Sequence, residues 1–245
     1  MQASRRTALF LAPLLCSLVL VPILARAATT GSGRAASEMR SVAEFQAIAL
    51  HGEMDLVVRQ GTPQSVQLQA DDNLLPLLET AVESTSNGAT LQLRWAKGQS
   101  ISSRTKVRVT VVVPKLSALS AAGSGDMLVE SFTTPALKVS LSGSGDARLP
   151  GLATDDLGIR LAGSGNVSGS GKAARVNVSI AGSGDVRLSE LLADDVAINI
   201  AGSGDAAVNA QKTLDVRVAG SGDVSYSGNP TVKSKMAGSG SISRR

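Results

Sequence analysis

The stretch "VSIAGSGDVRL", residues 178–188, decides the fold of this sequence, because near copies follow it as "INIAGSGDAAV" at 198–208 and "VRVAGSGDVSY" at 216–226. Self-similarity at a fixed period is the signature of repeat architectures. Gly-Ser-Gly begins at successive spacings of 20, 20, 19, 20, 18 and 18 residues, at Gly123, Gly143, Gly163, Gly182, Gly202, Gly220 and Gly238. A further Gly-Ser-Gly at Gly169 is out of phase and indicates an insertion in a connecting loop.

Apolar and polar residues alternate on both sides of each turn. Successive side chains of a β-strand point to opposite faces. The strands before the turns therefore place a common set on one face: Val139, Leu141, Ile159, Leu161, Val178, Ile180, Ile198, Ile200, Val216 and Val218. A unit of about 20 residues cannot cover its own apolar face, but stacked units can. The sequence predicts an all-β solenoid with repeats of 18–20 residues and Gly-Ser-Gly corner turns, and it favours this fold over an antiparallel sandwich.

The turns share a short polar residue at their fourth position. It is Asp126, Asp146, Asn166, Asp185, Asp205, Asp223 and finally Ser241. Two glycines suit a corner with positive φ, and the Asp side chains are expected to accept hydrogen bonds from nearby amides of the turn. Stacked carboxylates repel unless amides or a cation neutralise them. A calcium-binding ridge is therefore kept as the alternative to turn capping, with the candidate ligands Asp126, Asp146, Asp185, Asp205 and Asp223.

The composition argues against two classes of function. The chain has 245 residues, of which 43% are hydrophobic and only 2% aromatic. A core of Val, Leu, Ile and Ala suits thin β layers better than an enzyme with a deep, aromatic-lined pocket. The net charge is +4, and without Arg5, Arg6 and Arg26 the remaining 21 basic and 20 acidic residues give +1. No basic run is interleaved with aromatic residues, so nucleic-acid binding is not expected.

Residues 1–27 have the organisation of a signal peptide. Arg5 and Arg6 precede an apolar run over residues 7–24, and "ARA" at 25–27 provides a cleavage site after Ala27. An uncleaved membrane anchor is the alternative, because the run approaches spanning length. The only cysteine, Cys16, lies in this segment after a leucine, so the mature chain is expected to carry neither a disulfide nor a lipid. This interpretation predicts export to the periplasm or the cell surface of a bacterium.

The rest of the chain divides into a leader and one domain. Residues 28–40, which are rich in Gly, Ala and Ser, are predicted to form a flexible leader. Residues 41–243 are predicted to form a single domain, in which a less regular β part over 41–115 precedes the repeats of 116–243. The one candidate helix is "DDNLLPLLETAVES" at 71–84, where Pro76 makes a loop or a single turn equally compatible.

Candidates for catalysis are few. The single histidine, His51, is predicted to be a turn residue, because no partner constellation can be found around it. The repeated serines have no histidine partner, and no helix follows the turns to bind a phosphate. The mature chain's aromatic residues lack the common phase of a polysaccharide lyase's sugar platforms: Phe45, Trp95, Phe132 and Tyr226. No catalytic residue and no cofactor is therefore predicted.

Several segments together resemble a known family. They are "EFQAIALHGEMDLVVRQG" at 44–61, "LQADDNLLPLLETAV" at 68–82, "TLQLRW" at 90–95, "VRVTVVVPKLSALSAAGSGD" at 107–126 and the "GSGD" units that follow. Over about residues 41–243 the chain resembles the bacterial autotransporter-adhesin head GIN domain family. The resemblance implies a right-handed parallel β-helix without catalytic residues, in an exported protein with an adhesive role.

These observations predict a non-enzymatic, exported cell-envelope protein whose flat faces bind an envelope or surface macromolecule. Two alternatives are a calcium-dependent or carbohydrate-active β-helix protein and a purely structural periplasmic protein. After signal cleavage no stable membrane span is expected. A homo-oligomer is compatible with the strand edges at the ends of a solenoid.

Overall fold

The computed structural model describes residues 28–245, so the predicted signal peptide of residues 1–27, with Cys16, lies outside the described part. Within that part the chain consists of strands and one 3-10 turn at Leu75–Leu77, with no α-helix. Accordingly, residues 28–245 include no helix of the length and apolarity that a membrane crossing requires. Pro76 lies in the 3-10 turn, so the candidate helix at 71–84 is this turn followed by a strand.

The strands fall into a less regular N-terminal set and a repeated set. The N-terminal strands are β1 (Thr29–Thr30), β2 (Ala35–Arg40), β3 (Ala47–His51), β4 (Asp55–Gln60), β5 (Ser65–Asp71), β6 (Leu78–Thr85), β7 (Gly88–Trp95), β8 (Ile101–Ser102) and β9 (Arg108–Val113). The repeated strands are β10 (Ala118–Gly123), β11 (Met127–Val129), β12 (Thr133–Gly143), β13 (Ala147–Gly163), β14 (Val167–Gly182), β15 (Val186–Gly202), β16 (Ala206–Gly220), β17 (Val224–Ser227), β18 (Thr231–Gly238) and β19 (Ile242–Arg244).

The repeats stack as parallel coils, which confirms the predicted β-solenoid. Each strand from β12 to β15 pairs in parallel with the next strand, one coil later, and β16 pairs with β17 and β18. Neighbouring strands lie about 4.8 Å apart, which sets the rise from one coil to the next. The first corner glycines align along the stack: Gly123, Gly143, Gly163, Gly182, Gly202, Gly220 and Gly238.

Each full coil has three segments separated by three corners. In β13 the buried residues form three groups: Ala147 with Leu149, then Leu152, then Leu157 with Ile159 and Leu161. The alternation of inward and outward residues is interrupted at residues 150–151 and again at 155–156, which indicates that the chain bends at both places. We call these bends the second and third corners, counted after the Gly-Ser-Gly-Asp corner. The third segment is the strand that leads from the third corner to the next Gly-Ser-Gly-Asp corner.

Equivalent inward residues form apolar ladders along the solenoid axis. One ladder consists of Leu137, Leu157, Val176, Val196 and Leu214, and the next of Val139, Ile159, Val178, Ile198 and Val216. All of them are at most 3% exposed. Burying one such side chain contributes about 1.5–3 kcal/mol. Because each coil covers the apolar residues of its neighbours, the stack and not the single coil is the stable unit.

Differences in coil length are absorbed away from the Gly-Ser-Gly-Asp corner. The pairing between β13 and β14 shifts between Leu149 and Leu152, and the pairing between β15 and β16 shifts between Leu188 and Leu192. Gly169 consequently lies within β14, at a second corner that is one residue shorter than in β13. The interpretation of Gly169 as part of an inserted loop is wrong, since this coil is shortened and not extended.

The less regular part continues the solenoid with a different chain order. β3 pairs in parallel with β10 on one side and with β7 on the other. β4 pairs in the same way with β11 and with β9. The coil formed by β3 and β4 therefore lies between two coils from later in the sequence.

Antiparallel strands close the N-terminal end, where β6 pairs with β7, β5 with β9, and β2 with β5. The structure corrects the flexible leader predicted for residues 28–40, because β1 pairs with β8 and β2 with β5. The physical reason is that β2 satisfies the backbone edge of β5, which would otherwise be unpaired. Arg40 adds a hydrogen bond from its Nη2 to the carbonyl oxygen of Leu75, at 2.7 Å.

The opposite end of the solenoid is an open strand edge in the described residues. β18 pairs only with β16, and β19 only with β17. At an inward position, Ser234 stands in register with Val216 of the preceding coil. Lys233 and Lys235 are exposed on β18. Lysines on an edge strand disfavour pairing with another chain.

Candidate functional site

The first glycine of each Gly-Ser-Gly-Asp corner has a backbone conformation that side chains rarely permit. Its φ is +137° at Gly182 and lies between +133° and +142° in all seven corners. A Cβ atom on Gly182 would lie 2.4 Å from the carbonyl oxygen of Gly163, one coil earlier. That oxygen accepts a hydrogen bond from Ser183 N–H at 3.0 Å. Glycine is thus required here by conformation and by close approach together.

The second glycine is required for a different reason. Gly184 is not among the glycines with positive φ, yet a Cβ atom on it would lie 2.0 Å from the carbonyl oxygen of Gly165. The corresponding distances along the stack lie between 1.9 and 2.2 Å. The sequence pattern predicted positive φ for both glycines, but only the first has it. The second glycine is required by the close packing of successive corners.

The fourth corner residue binds the next coil and not its own turn. Asp146 Oδ1 accepts a hydrogen bond from Asn166 N–H at 3.0 Å, and Asp205 Oδ1 accepts one from Asp223 N–H at 2.8 Å. The same contact links the other steps, from Asp126 to Asp146, Asn166 to Asp185, Asp185 to Asp205 and Asp223 to Ser241. The expected capping of the same turn is wrong, because stacking brings the amide of the next coil to the side-chain oxygen.

Amide donors and two arginines offset the charge of the stacked carboxylates. Arg148 lies 3.7 Å from both Asp126 and Asp146, and Arg187 lies 2.7 Å from Asp185. The five candidate calcium ligands do lie along one edge, one or two coils apart. In residues 28–245, however, no group of three or more His, Cys, Asp or Glu is arranged to hold a metal ion. The calcium-binding ridge stays a prediction.

The structure contains a further corner that the sequence analysis missed, in "GEMD" at residues 52–55. A Cβ atom on Gly123 would lie 2.3 Å from the carbonyl oxygen of Gly52, and one on Gly125 would lie 1.9 Å from that of Met54. Asp55 Oδ1 accepts a hydrogen bond from Asp126 N–H at 3.4 Å, so the Asp ladder begins at Asp55. The available signal was the Gly-x-x-Asp spacing that "GEMD" shares with "GSGD".

His51 directly precedes this further corner. Its Nε2 lies 3.3 Å from Oε1 of Gln92, on the neighbouring strand β7. An amide partner neither activates a nucleophile nor orients an imidazole as a carboxylate would. The geometry therefore does not bring His51 into an acid–base pair.

A buried carboxylate holds the N-terminal segment in place. Asp71 is 0% exposed. It accepts hydrogen bonds from Gly33 N–H (2.7 Å), Ser103 Oγ (2.6 Å), Arg104 N–H (2.9 Å) and Thr105 N–H (3.2 Å). Burial alone opposes ionisation, but these donors together hold the pKa of Asp71 well below its usual range. The side chain thus joins residues 31–33 to the loop between β8 and β9.

The solvent side of the third segment forms a flat surface across the coils, which we call the third-segment face. Its middle row is Ser140, Arg160, Ser179, Asn199, Arg217 and Lys235. The row towards the third corner is Lys138, Gly158, Asn177, Ala197, Asp215 and Lys233. The row beside the Gly-Ser-Gly-Asp corner is Ser142, Ala162, Ala181, Ala201, Ala219 and Ala237.

Three open depressions lie on the surface of the repeats. Two of them, of about 360 and 410 Å³, lie side by side on the third-segment face and share Ser179 and Asn199. Another, of about 710 Å³, follows the third corner past Pro135, Lys172 and Leu192. These surfaces suit an extended ligand better than a small enclosed one.

Solved bacterial structures share this architecture. A putative adhesin from Bacteroides fragilis is 26% identical with a TM-score of 0.80, and the match covers 89% of this chain and 100% of that chain. A putative lipid binding protein from Parabacteroides distasonis is 25% identical with a TM-score of 0.75, over the same shares of 89% and 100%. None of the curated proteins matches this sequence significantly.

A family model described as "Putative auto-transporter adhesin, head GIN domain" matches residues 44–230. The matched range includes the corner at residues 52–55, Asp71 and every Gly-Ser-Gly-Asp corner up to Asp223. It spans most of the chain and confirms the family that the sequence segments indicated. The chain therefore belongs to the putative auto-transporter adhesin, head GIN domain family.

Proposed function

We propose that this chain is a non-enzymatic protein of the bacterial cell envelope that binds an extended macromolecule of its own or another surface. The observation that carries this proposal is the third-segment face, which continues from Lys138 to Ala237 with only shallow depressions. Long flat surfaces of solenoids suit extended ligands, whereas small substrates are usually enclosed in deeper pockets. The adhesin family to which the chain belongs supports the same function.

Export is part of the proposal. Residues 1–27 have the charge, apolar run and small-residue site of a signal peptide. Cleavage after Ala27 would remove the only cysteine, Cys16, and leave a mature chain that begins at Ala28.

Binding of lipid, which the name of the Parabacteroides distasonis protein suggests for that protein, has less support here. The large hydrophobic side chains exposed in the described residues are Met39 (60%), Leu192 (52%) and Val232 (37%). They lie on three different strands, β2, β15 and β18. Binding to a lipid surface requires a contiguous apolar patch, which these side chains do not form.

The experiment combines localisation with binding. The full-length protein is expressed in a Gram-negative host, and its N-terminus, its fraction and its protease sensitivity on intact cells are determined. We expect a mature chain that begins at Ala28 in the envelope or periplasmic fraction and binds isolated envelope material. His51→Ala should bind equally well. A cytoplasmic, uncleaved protein without affinity for envelope material would contradict the proposal.

A further inference from the structure

We propose that the third-segment face binds an acidic polysaccharide, with Lys138, Arg160 and Lys235 as the main anion contacts. The inference rests on the proposed function, since it names the class of macromolecule that the face recognises. The cations of this face differ from the other cations of the repeats, because most cations of the face have no acidic partner within the described residues.

Most cations of residues 116–243 outside this face already have acidic partners. Four of the five cations outside the face pair with aspartates: Arg148, Arg175, Arg187 and Lys212. On the face itself, Arg217 pairs with Asp215. The others have no ion pair within the described residues: Lys138, Arg160, Lys172, Lys233 and Lys235. All of these except Lys172 lie on the third-segment face, where the one acid, Asp215, is bound to Arg217 at 3.0 Å. The face therefore presents an excess of uncompensated positive charge.

The first depression combines two of these cations with neutral hydrogen-bonding groups. Lys138 and Arg160 flank Gly158, where an added Cβ atom would have only Lys138 Cγ within 4 Å, at 3.9 Å. Ser140 and Asn177 also line this depression. Cations bind carboxylate or sulfate groups, while hydroxyl and amide groups exchange hydrogen bonds with sugar hydroxyls.

The second depression continues the surface towards the end of the solenoid. Arg217 and Lys235 lie at its edge, and its floor contains the small side chains Ala181, Ala201 and Ala219. Their methyl groups suit contact with the C–H faces of sugar rings. Arg160 and Lys235 are four coils apart, or about 19 Å at the usual strand spacing. The two depressions thus suit a chain of several sugar units along the axis.

The residues of the face disfavour other polyanions. Its three rows contain no aromatic side chain on which a nucleic-acid base could stack. They also contain no Leu, Ile, Met or Phe that would enter a membrane. A polysaccharide that carries carboxylate or sulfate groups is the ligand class that matches both the charge and the small polar side chains.

The test compares two triple variants that change the net charge equally. Lys138→Ser/Arg160→Ser/Lys235→Ser removes charge from the face. The matched control, Lys97→Ser/Lys115→Ser/Lys172→Ser, removes three exposed cations that have no ion pair within the described residues and lie elsewhere. The probes are polygalacturonate, heparin, uncharged dextran, phosphatidylglycerol vesicles and duplex DNA, and circular dichroism confirms that each variant is folded. Arg160→Gln alone serves if the triple variant fails to fold.

We expect the mature protein to bind polygalacturonate or heparin but not dextran, more weakly as salt rises. The face variant should lose affinity by about tenfold, and the control by less than about twofold. Absence of binding to both acidic glycans, equal losses in the two variants, or tighter binding to vesicles or DNA would overturn the inference. Binding to isolated envelope material distinguishes a failure of the ligand assignment from a failure of the proposed function. If the mature protein and the face variant bind it equally, the ligand assignment fails and the proposed function stands, whereas no binding by either removes both.

Discussion

The repeated coils and the N-terminal part follow the same solenoid path but are held by different kinds of contact. In the repeats, each corner meets a nearly identical corner, as where Ser183 N–H donates to the carbonyl oxygen of Gly163 at 3.0 Å. In the N-terminal part, the single carboxylate of Asp71 accepts hydrogen bonds from four donors, one in residue 33 and three in residues 103–105. The repeats are thus stabilised by the same contact between successive corners in every coil, whereas the closed N-terminal end depends on a few contacts between residues far apart in sequence.

Substitution of an inner corner glycine should have the largest effect. In Gly184→Ala the new Cβ atom would lie 2.0 Å from the carbonyl oxygen of Gly165 and 2.8 Å from Leu161 Cδ2. Backbone must move to relieve this overlap, and the neighbouring coil resists it. We expect the free energy of unfolding to fall by about 3 kcal/mol, measured by chemical denaturation.

Gly158→Ala is the matched control for this prediction. Gly158 lies in the same type of coil but has open space where the Cβ atom would be, and its φ is not positive. We expect a change of less than about 1 kcal/mol. Equal losses in Gly158→Ala and Gly184→Ala would show that close approach of the corners is not what requires glycine.

The next largest effect is expected at the N-terminal end, from Asp71→Asn. The amide would place an NH2 group against donors that now point to a carboxylate, so residues 29–40 should lose their attachment. Hydrogen exchange should become faster in β1, β2 and residues 101–105, while the repeats keep their protection. Uniform loss of protection along the whole chain would contradict the distinction between the two regions.

The same side chain predicts a pH dependence. The pKa of Asp71 is below its usual range in the folded state, and an unfolded aspartate titrates near pH 3.9. Its contribution to stability is therefore complete above that pH and is lost as the pH falls below it towards the folded pKa. The difference in Tm between the wild type and Asp71→Asn should be constant from pH 7 to about 5 and shrink below about 4. A difference that grows in acid would contradict this assignment.

A smaller effect is expected from one step of the Asp ladder. Asp205→Ala removes the acceptor of Asp223 N–H and should lower the free energy of unfolding by about 1 kcal/mol. Asp205→Asn keeps a side-chain oxygen, as Asn166 does when it accepts from Asp185 N–H at 3.4 Å. We expect Asn to cost less than half as much as Ala. Equal costs in thermal unfolding would show that charge and not the amide contact matters at this position.

The smallest effect is expected from calcium. The ladder carboxylates already accept amide hydrogen bonds, so chelator or added calcium should change Tm by less than about 1 °C. If the folded protein bound a calcium ion, a free calcium concentration 100 times the Kd would stabilise the fold by about 2.7 kcal/mol, and calorimetry would detect this easily. A marked rise of Tm with calcium would instead support the ridge of aspartates as a cation site.

The repeated coils could be predicted well because their pattern recurs at a nearly fixed period. Val178 and Ile180 were assigned to the interior from alternation alone, and both are 1% exposed. The partner of each Asp could not be predicted in this way. The amides of its own turn and of the next coil are equally available in the sequence, and only stacking decides between them.

The N-terminal part was harder to predict because its contacts join residues that are far apart in sequence. Residues 28–40 have the composition of a linker, yet β2 finds its partner in β5. The corner at Gly52 stacks against Gly123, and the strands inserted between them interrupt the period. The outward face of the repeats was predictable from alternation, but the pairing register was needed to show which of its cations lie beside one another, such as Lys138 next to Gly158 and Arg160.

The confinement of coil-length changes to the second and third corners has a consequence for how such chains vary. The aligned Gly-Ser-Gly-Asp corners fix the register of each coil with its neighbours, but they do not fix the number of residues in the coil. Extra residues between Ser189 and Glu190, which are both exposed, would extend sideways and leave the pairing of Val196 and Ile198 unchanged. Two edges of the solenoid can therefore accept new loops, including engineered epitopes, while the third edge preserves the alignment of every later coil.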